Sequence, residues 1–479
     1  MLTRDEILAV YDAGPDAVVE LVQGLMAQVE ALTERVRALE QRLAKDSHNS
    51  HKPPSSDEPT HRGRRRKSLR KPSGKKPGGQ PGHPGHTLKQ VERPDEVRPH
   101  EAPPCCAHCG DDLTGVAPRI AERRQVWDLP PLALHVTEHQ AQSKRCPGCG
   151  HASRGVFPSE VREPVQYGPG VLGLGVYLQI HQLLPYARAA ELMADLFGSA
   201  PSQGTLFRSL ERAHEALGPV EAKTHAALCG SRCVHMDETG VHAGGKRYWV
   251  HSAGTQSLTL YRTHAKRGRE ALDAMGVLPD YKGVAVHDAY RSYLSYPARH
   301  ALCNAHLLRD LVAVEEETKA TWAGDLCTLL CQIKASAAEA RQVGAQINPA
   351  QVEAYRARYD ALLAQGRGAH PPSPPNGRSG RRKQSPAYNL VTRLEQYASE
   401  VLAFLYDTGV PFDNNLAERD LRMLKTQQKI TGGFRTLQGA EVFCRIRGYV
   451  STIRKQHFPL LAALRSIFTG APLLPCFDG

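Results

Sequence analysis

The sequence has no long apolar run: its longest apolar stretch, Val171 to Leu184, is broken by Gln179, His181 and Gln182, which argues against a membrane span. The opening segment, MLTRDEILAVYDAG, lacks a basic stretch followed by an apolar one, so no export signal is expected and the chain reads as a soluble cytoplasmic protein. Cysteine is scarce, with 12 in 479 residues, and four of these fall in two Cys-x-x-Cys pairs; in a reducing compartment that pattern points to metal rather than disulfides. Acidic residues are outnumbered. Asp and Glu total 49 against 61 Lys and Arg, and the resulting net charge of +12 favours a polyanionic partner, nucleic acid before an acidic membrane.

A chain of 479 residues is too long for one core and suggests about three units. Near its start, Val18, Val22, Leu25, Val29, Leu32, Val36, Leu39 and Leu43 recur in steps of four and three. With valine at the a positions and leucine at d, this seam predicts a parallel two-stranded coiled coil and hence a homodimer. A single amphipathic helix lying on a core is the simpler alternative. Apolar residues then nearly vanish between residues 45 and 100, where HRGRRRKSLRKPSGKK is dominated by Lys and Arg. Such a segment cannot fold alone. It reads as a DNA-binding arm, with Arg64, Arg65, Arg66 and Lys67 as phosphate contacts, or else as a solvated linker.

Cys106, Cys109, Cys146 and Cys149 form two C-x-x-C-G knuckles. Four thiolates at tetrahedral positions suit one structural zinc ion and leave no open position for catalysis, which predicts a zinc ribbon. The segment between the knuckles, including QVWDLPPLALHVTEH, is long enough for ribbon strands. Residues 165 to 228 read as helices, and LLPYARAAELMADLFG, SAPSQ and GTLFRSLERAHEAL have the outline of a helix-turn-helix. In that reading Arg208 and Arg212 share a face of the second helix as DNA contacts; a plain packed hairpin has the same outline.

From Arg232 the pattern turns to strands: RCVHMDETGV, KRYWVHSAG and SLTLYRTH, then a helix at Arg269 to Met275, strands at GVAVHDAY and HALC, and a helix from Asn304. The order is compatible with an RNase H-like mixed sheet and with other α/β layers. Asp237 is expected to end the first strand and Asp288 the fourth; on neighbouring strands they would meet at one sheet edge and hold divalent ions. Glu238 is expected to point to the opposite face. A third carboxylate is needed, and Asp413, Glu418, Asp420 and Glu441 are candidates. Glu418 is the best placed, on a helical stripe with Arg422, Lys425 and Lys429 that combines a metal ligand with three phosphate-binding cations. A solvated helix face remains the alternative. Two hard ions roughly 3.5 to 4 Å apart would activate an attacking water or 3′-hydroxyl and stabilise the leaving oxygen of an in-line phosphoryl displacement. Cys303 and His306 have metal-ligand spacing but lack further ligands, so they are expected to be a packed or hydrogen-bonded pair.

These pieces together resemble the IS66-type insertion-sequence transposases. The likeness rests on the zipper-like start, KKPGGQPGHPGH, the paired knuckles, HMDETG, VHDAYRSY, CNAHLLRDL and PFDNNLAERDLRMLK, in that order. The resemblance implies that Asp237, Asp288 and Glu418 are the catalytic acids of a DDE transposase using two Mg²⁺ or Mn²⁺ ions. It also implies an RNase H-like core with a helical insertion, and accessory proteins of the same element as partners. The expected fold class is multidomain α+β. Its parts are a coiled coil (1–46), a basic linker (47–100), a zinc ribbon (101–152), a helical region with the candidate helix-turn-helix (153–228), core segments (229–310 and 401–479) and the insertion (311–400). The expected activity is binding of terminal inverted repeats, DNA cleavage and transfer to target DNA, in a cytoplasmic protein associated with the nucleoid when on DNA. An inactive DNA-binding derivative and an RNase H-like nuclease are the alternatives.

Overall fold

The structure is a computed structural model that describes residues 3–43, 82, 88–373 and 384–477. Arg64, Arg65, Arg66 and Lys67 of the expected basic arm lie outside the described residues. The chain divides into two compact units: one comprises Met1–Arg66, His139–Leu192 and Ala200–Gly479, the other Lys67–Glu138 and Met193–Ser199.

In the first unit, α1 (Arg4–Asp12) and α2 (Pro15–Leu43) open the chain. Along α2 the heptad residues face solvent, from Val22 at 48% exposed through Val29 at 62% to Leu39 at 49%. Among the described residues nothing covers that stripe. Two short strands, β1 (Ser143–Arg145) and β2 (Ala152–Arg154), pair antiparallel around the second cysteine knuckle. The expectation of ribbon strands within QVWDLPPLALHVTEH is not met: the described residues between the knuckles form no regular strand until β1. Pro130 and Pro131 have no N–H to offer a ladder.

Helices α3 (Pro169–Val176), α4 (Tyr186–Phe197), α5 (Gln203–Ala216) and α6 (Gly218–Gly230) follow, the fourth helix crossing the boundary between the units. The sheet then begins with β3 (Cys233–Ala243), β4 (Lys246–Gly254) and β5 (Thr259–His264), an antiparallel meander. After α7 (Arg269–Met275) come β6 (Val284–His287) and β7 (Arg299–Leu302), both parallel to β3, so the strand order is β5-β4-β3-β6-β7.

The sheet is covered on both faces, as the alternation of its residues requires. Val241, Val250 and Tyr261 pack against Leu421 and Leu424 of α14 (Asn415–Thr431) and against Phe443, Ile446 and Val450 of α15 (Leu437–Lys455). Val234, Met236, Ala253 and Leu260 face the other way, onto Leu272 and Met275 of α7 with Tyr281 and Tyr293. Each buried leucine contributes roughly 1.5 to 3 kcal/mol of transfer free energy. A separate helical core is built by α8 (Asn304–Thr318), α9 (Thr321–Gln342), α10 (Pro349–Ala369), α11 (Pro386–Gln396), α12 (Ala398–Val401) and α13 (Ala403–Tyr406), with Trp322, Leu330, Tyr359 and Leu394 inside it. Helix α16 (Leu460–Ile467) closes the described chain beside α3. No helix among the described residues is long and apolar enough to cross a membrane.

The second unit is stapled by a reciprocal amide pair: the Val91 N–H donates to Gln125 Oε1 at 2.7 Å, and Gln125 Nε2 donates to the Val91 carbonyl at 2.7 Å.

Candidate active site

Helix α14 lies along β3 because it is tied to that strand at both ends. At its start, Asn414 Nδ2 donates to the Met236 carbonyl at 2.7 Å, and His235 Nδ1 meets Asn414 Oδ1 at 2.9 Å. Since the amide oxygen can only accept, His235 carries its proton on Nδ1. Beyond its other end, the Phe434 N–H donates to the His242 carbonyl at 2.8 Å and the Gly244 N–H to the Phe434 carbonyl at 3.0 Å. With both ends held, the register between helix and strand is set, and Leu421 and Leu424 settle over Val241. Replacing Asn414 with Ala leaves a buried imidazole N–H and a buried carbonyl unpaired; the expected cost is about 2 to 4 kcal/mol. Thermal unfolding measures it, and a change below ~1 kcal/mol would sink the clamp.

The strands bring two carboxylates together. β3 and β6 pair as far as His235↔Val286, and two residues further on each chain stand Asp237 and Asp288. Asp237 does not end its strand as expected: β3 continues to Ala243 because the β3–β4 hairpin extends past the point where β6 stops. Asp288 stands one residue beyond β6 rather than within it, its Oδ1 accepting the Tyr290 N–H at 2.9 Å. Burial pushes Asp237 up to about 8, assisted by repulsion from Glu238, Asp288 and Glu418 and opposed by the Glu238 N–H that its Oδ1 accepts. Glu418, in the first turn of α14, is itself raised, by burial first and by Asp413, while Arg309, Lys425 and Arg422 hold it down. Asp237 therefore feels carboxylates from two other elements, and among the described residues it has no ion-pair partner. Hard oxygen donors that raise one another's cost of ionisation, as Asp288 and Glu418 do for Asp237, are of the type a divalent Mg²⁺-like ion takes.

The other acidic candidates are engaged elsewhere. Asp420 is bonded to Lys455 at 2.7 Å, Asp413 lies 3.7 Å from Lys334, and Glu441 accepts from Thr263 at 3.4 Å. Glu238, on the opposite face of β3, is paired with Arg267 at 2.7 Å and accepts from Tyr293. Of the nearby histidines, His235 serves the Asn414 clamp, His287 bonds His300 at 2.9 Å, and His242 is exposed. Cys303 and His306 come within 4.8 Å of Glu418, a third member that their own spacing did not reveal.

Arg422, Lys425 and Lys429 are exposed along α14 beside Glu418. Arg208 and Arg212 are exposed on α5, whose other side packs on α3 and α15, and Arg212 sits over the Phe468 ring at 5.4 Å. Arg309 of α8 and Asn414 were not singled out from the sequence. Their only signal there was position, Arg309 three residues after His306 and Asn414 inside the turn ahead of Glu418.

The cysteine knuckles have the same local build. In one, the Gly110 N–H donates to the Cys106 carbonyl at 2.9 Å, with Gly110 at φ 84°; in the other, Gly150 does the same to Cys146 at 2.9 Å, with φ 72°. The left-handed turn that closes each knuckle is why glycine follows the second cysteine. Backbone N–H groups of Cys109 and His108, with the Cys109 side chain, bring Cys106 down to about 7; those of Cys149 and Gly148 lower Cys146 likewise. Thiols poised towards thiolate fit zinc.

Residues 164–442, more than half of the chain, match the transposase IS66 family. The chain belongs to that family. It is thus a transposase-type, DNA-processing protein, and residues 103–150 match the zinc-finger binding domain of transposase IS66, so it also carries a zinc-binding domain. Residues 11–89 match a family of unknown function. No curated protein matches the chain.

Proposed function

We propose that this chain is a DDE transposase with an RNase H-like core, which binds the terminal inverted repeats of its element, cuts DNA and joins it to a target. What supports the reading is Asp237 on β3, pushed up to about 8 by burial first, with Glu238, Asp288 just past β6 and Glu418 of α14 adding their charge. The strand order β5-β4-β3-β6-β7, three antiparallel strands followed by two parallel to the first, supports the RNase H-like assignment. Asp237, Asp288 and Glu418 are the residues that would hold two Mg²⁺ or Mn²⁺ ions. Those ions, when bound, lower the barrier to attack by water or a 3′-hydroxyl and stabilise the leaving oxygen. The chain's own residues do the rest. Asn414 and His235 keep Glu418 opposite Asp237, and Arg309, Arg422, Lys425 and Lys429 grip the phosphates that flank the scissile bond. Cys106, Cys109, Cys146 and Cys149 are the zinc ligands. The uncovered stripe of α2 is the seam of a coiled-coil dimer, and Arg64, Arg65, Arg66, Lys67, Arg208 and Arg212 extend the DNA contacts. Accessory proteins of the element are further partners.

The test is a joining assay with the purified chain, end DNA, target DNA and Mg²⁺ or Mn²⁺. The expected product is donor 3′-end covalently joined to target. Cutting without joining supports a nuclease instead, and end binding with neither product supports an inactive binding protein.

A further inference from the structure

Cys303 stands between β7 and the 15-residue α8; burial first, and Glu418 with it, push its thiol up to about 12 against the Asn414 N–H, so a thiolate there needs a cation to balance it. His306 follows in the first turn of α8, and Glu418 lies in the first turn of α14. The ligand atoms of these three side chains all lie within 4.8 Å of one another. His306 Nε2 and Glu418 Oε1 stand 3.5 Å apart. Zn–N and Zn–O bonds of roughly 2.0 to 2.1 Å at a tetrahedral angle put two such atoms about 3.4 Å apart, so this edge already has coordination length. The sulfur also has an outer partner: the Asn414 N–H donates to Cys303 Sγ at 3.1 Å, the type of bond that orients and stabilises a metal-bound thiolate. Cys303 is 1% exposed, whereas His306 and Glu418 are half-buried, so an ion would enter from the carboxylate side and keep a fourth position for water.

We infer that Cys303, His306 and Glu418 form a second metal site, with a thiolate, an imidazole and a carboxylate suited to Zn²⁺ rather than Mg²⁺. Softness separates it from the all-oxygen neighbourhood of Asp237 and Asp288. Two anionic ligands balance a divalent ion, and Arg309, Lys425 and Arg422 already lower Glu418 towards its ionised form. The site itself stands on the three side chains. Its consequence rests on the assignment of Glu418 proposed above: an ion held by Cys303 and His306 withdraws Glu418 from the catalytic pair, so Zn²⁺ inhibits DNA joining in competition with Mg²⁺.

The experiment uses the full chain as purified with its zinc-finger zinc in place, titrated with Co²⁺ in the absence of DNA, which separates its outcome from that of the transposase reading. The expected result is about one added equivalent giving a sulfur-to-cobalt charge-transfer band, lost in Cys303→Ser. In His306→Gln, which leaves the buried sulfur and its Asn414 contact in place, the band forms with affinity at least tenfold weaker. No band in the wild-type chain overturns the inference, as does an undiminished band in Cys303→Ser or unchanged affinity in His306→Gln.

Discussion

Replacing Asp237 by Asn is expected to abolish DNA joining while raising the melting temperature of the metal-free chain. The activity arm follows from the role proposed for Asp237, as a ligand to an ion that would stabilise a developing phosphoryl charge. A loss of ~4 kcal/mol of such stabilisation is about a thousand-fold in rate. The stability arm follows from the crowding of carboxylates. Asp237 is held at about 8, above its ordinary value of 3.8, so the native state keeps a proton that the unfolded chain has released. Its stabilising contribution is present below the ordinary carboxylate range and is lost as pH rises towards about 8. At neutral pH and above, Asn removes that penalty, on the order of a few kcal/mol. Divalent metal should reverse the comparison if Asp237 holds it as proposed, since an ion bound to the native state stabilises the wild-type chain and the variant lacks that ligand. Melting curves with and without Mg²⁺, across pH 5 to 9, measure both arms. A metal-free Asp237→Asn chain that melts lower than wild type would contradict the electrostatic account, and retained joining would contradict the metal role.

Removing zinc should have the larger effect on structure. Small zinc-bound domains draw on the order of 10 to 16 kcal/mol from the metal, more than a segment this poor in regular structure can otherwise supply. Chelation, or Cys146→Ala, is expected to make residues 103–150 sensitive to protease and to reduce end-DNA binding, while the sheet and its helices stay resistant. Zinc affinity should also weaken as pH falls below about 7, since protons then compete for Cys106. Limited proteolysis with a parallel zinc assay decides it. Native resistance of residues 103–150 in a zinc-free chain would sink the prediction.

Much of this was legible from residue order because the physics involved is local. The solvent-facing stripe of α2, the C-x-x-C-G knuckles and the β-branched runs that become β3, β4 and β5 each express a period or a turn that operates within a few residues. The position of Glu238 on the face away from Asp237 follows from strand alternation alone, and its partners Arg267 and Tyr293 agree with that. Strand ends were less legible. Asp237 lies inside β3 because a partner strand, not β3 itself, decides where pairing stops.

By itself, then, the sequence determined the kinds of element, the thiol and carboxylate chemistry on offer and the family resemblance. Spacing left open which acid joins Asp237 and Asp288; the resemblance implies Glu418, and tertiary structure alone decided how the neighbouring acids are paired. Asp413, Glu418 and Asp420 lie within eight residues and have equivalent side-chain chemistry. Lys455 takes one, Lys334 lies beside another, and Glu418 is the one of the three whose charge is felt by Asp237. The same packing brings Glu418 to Cys303 and His306, more than a hundred residues earlier in the chain. Spacing could not reveal that meeting, because a metal or catalytic site is set by distances through space, and those depend on contacts between elements that local periodicity does not encode.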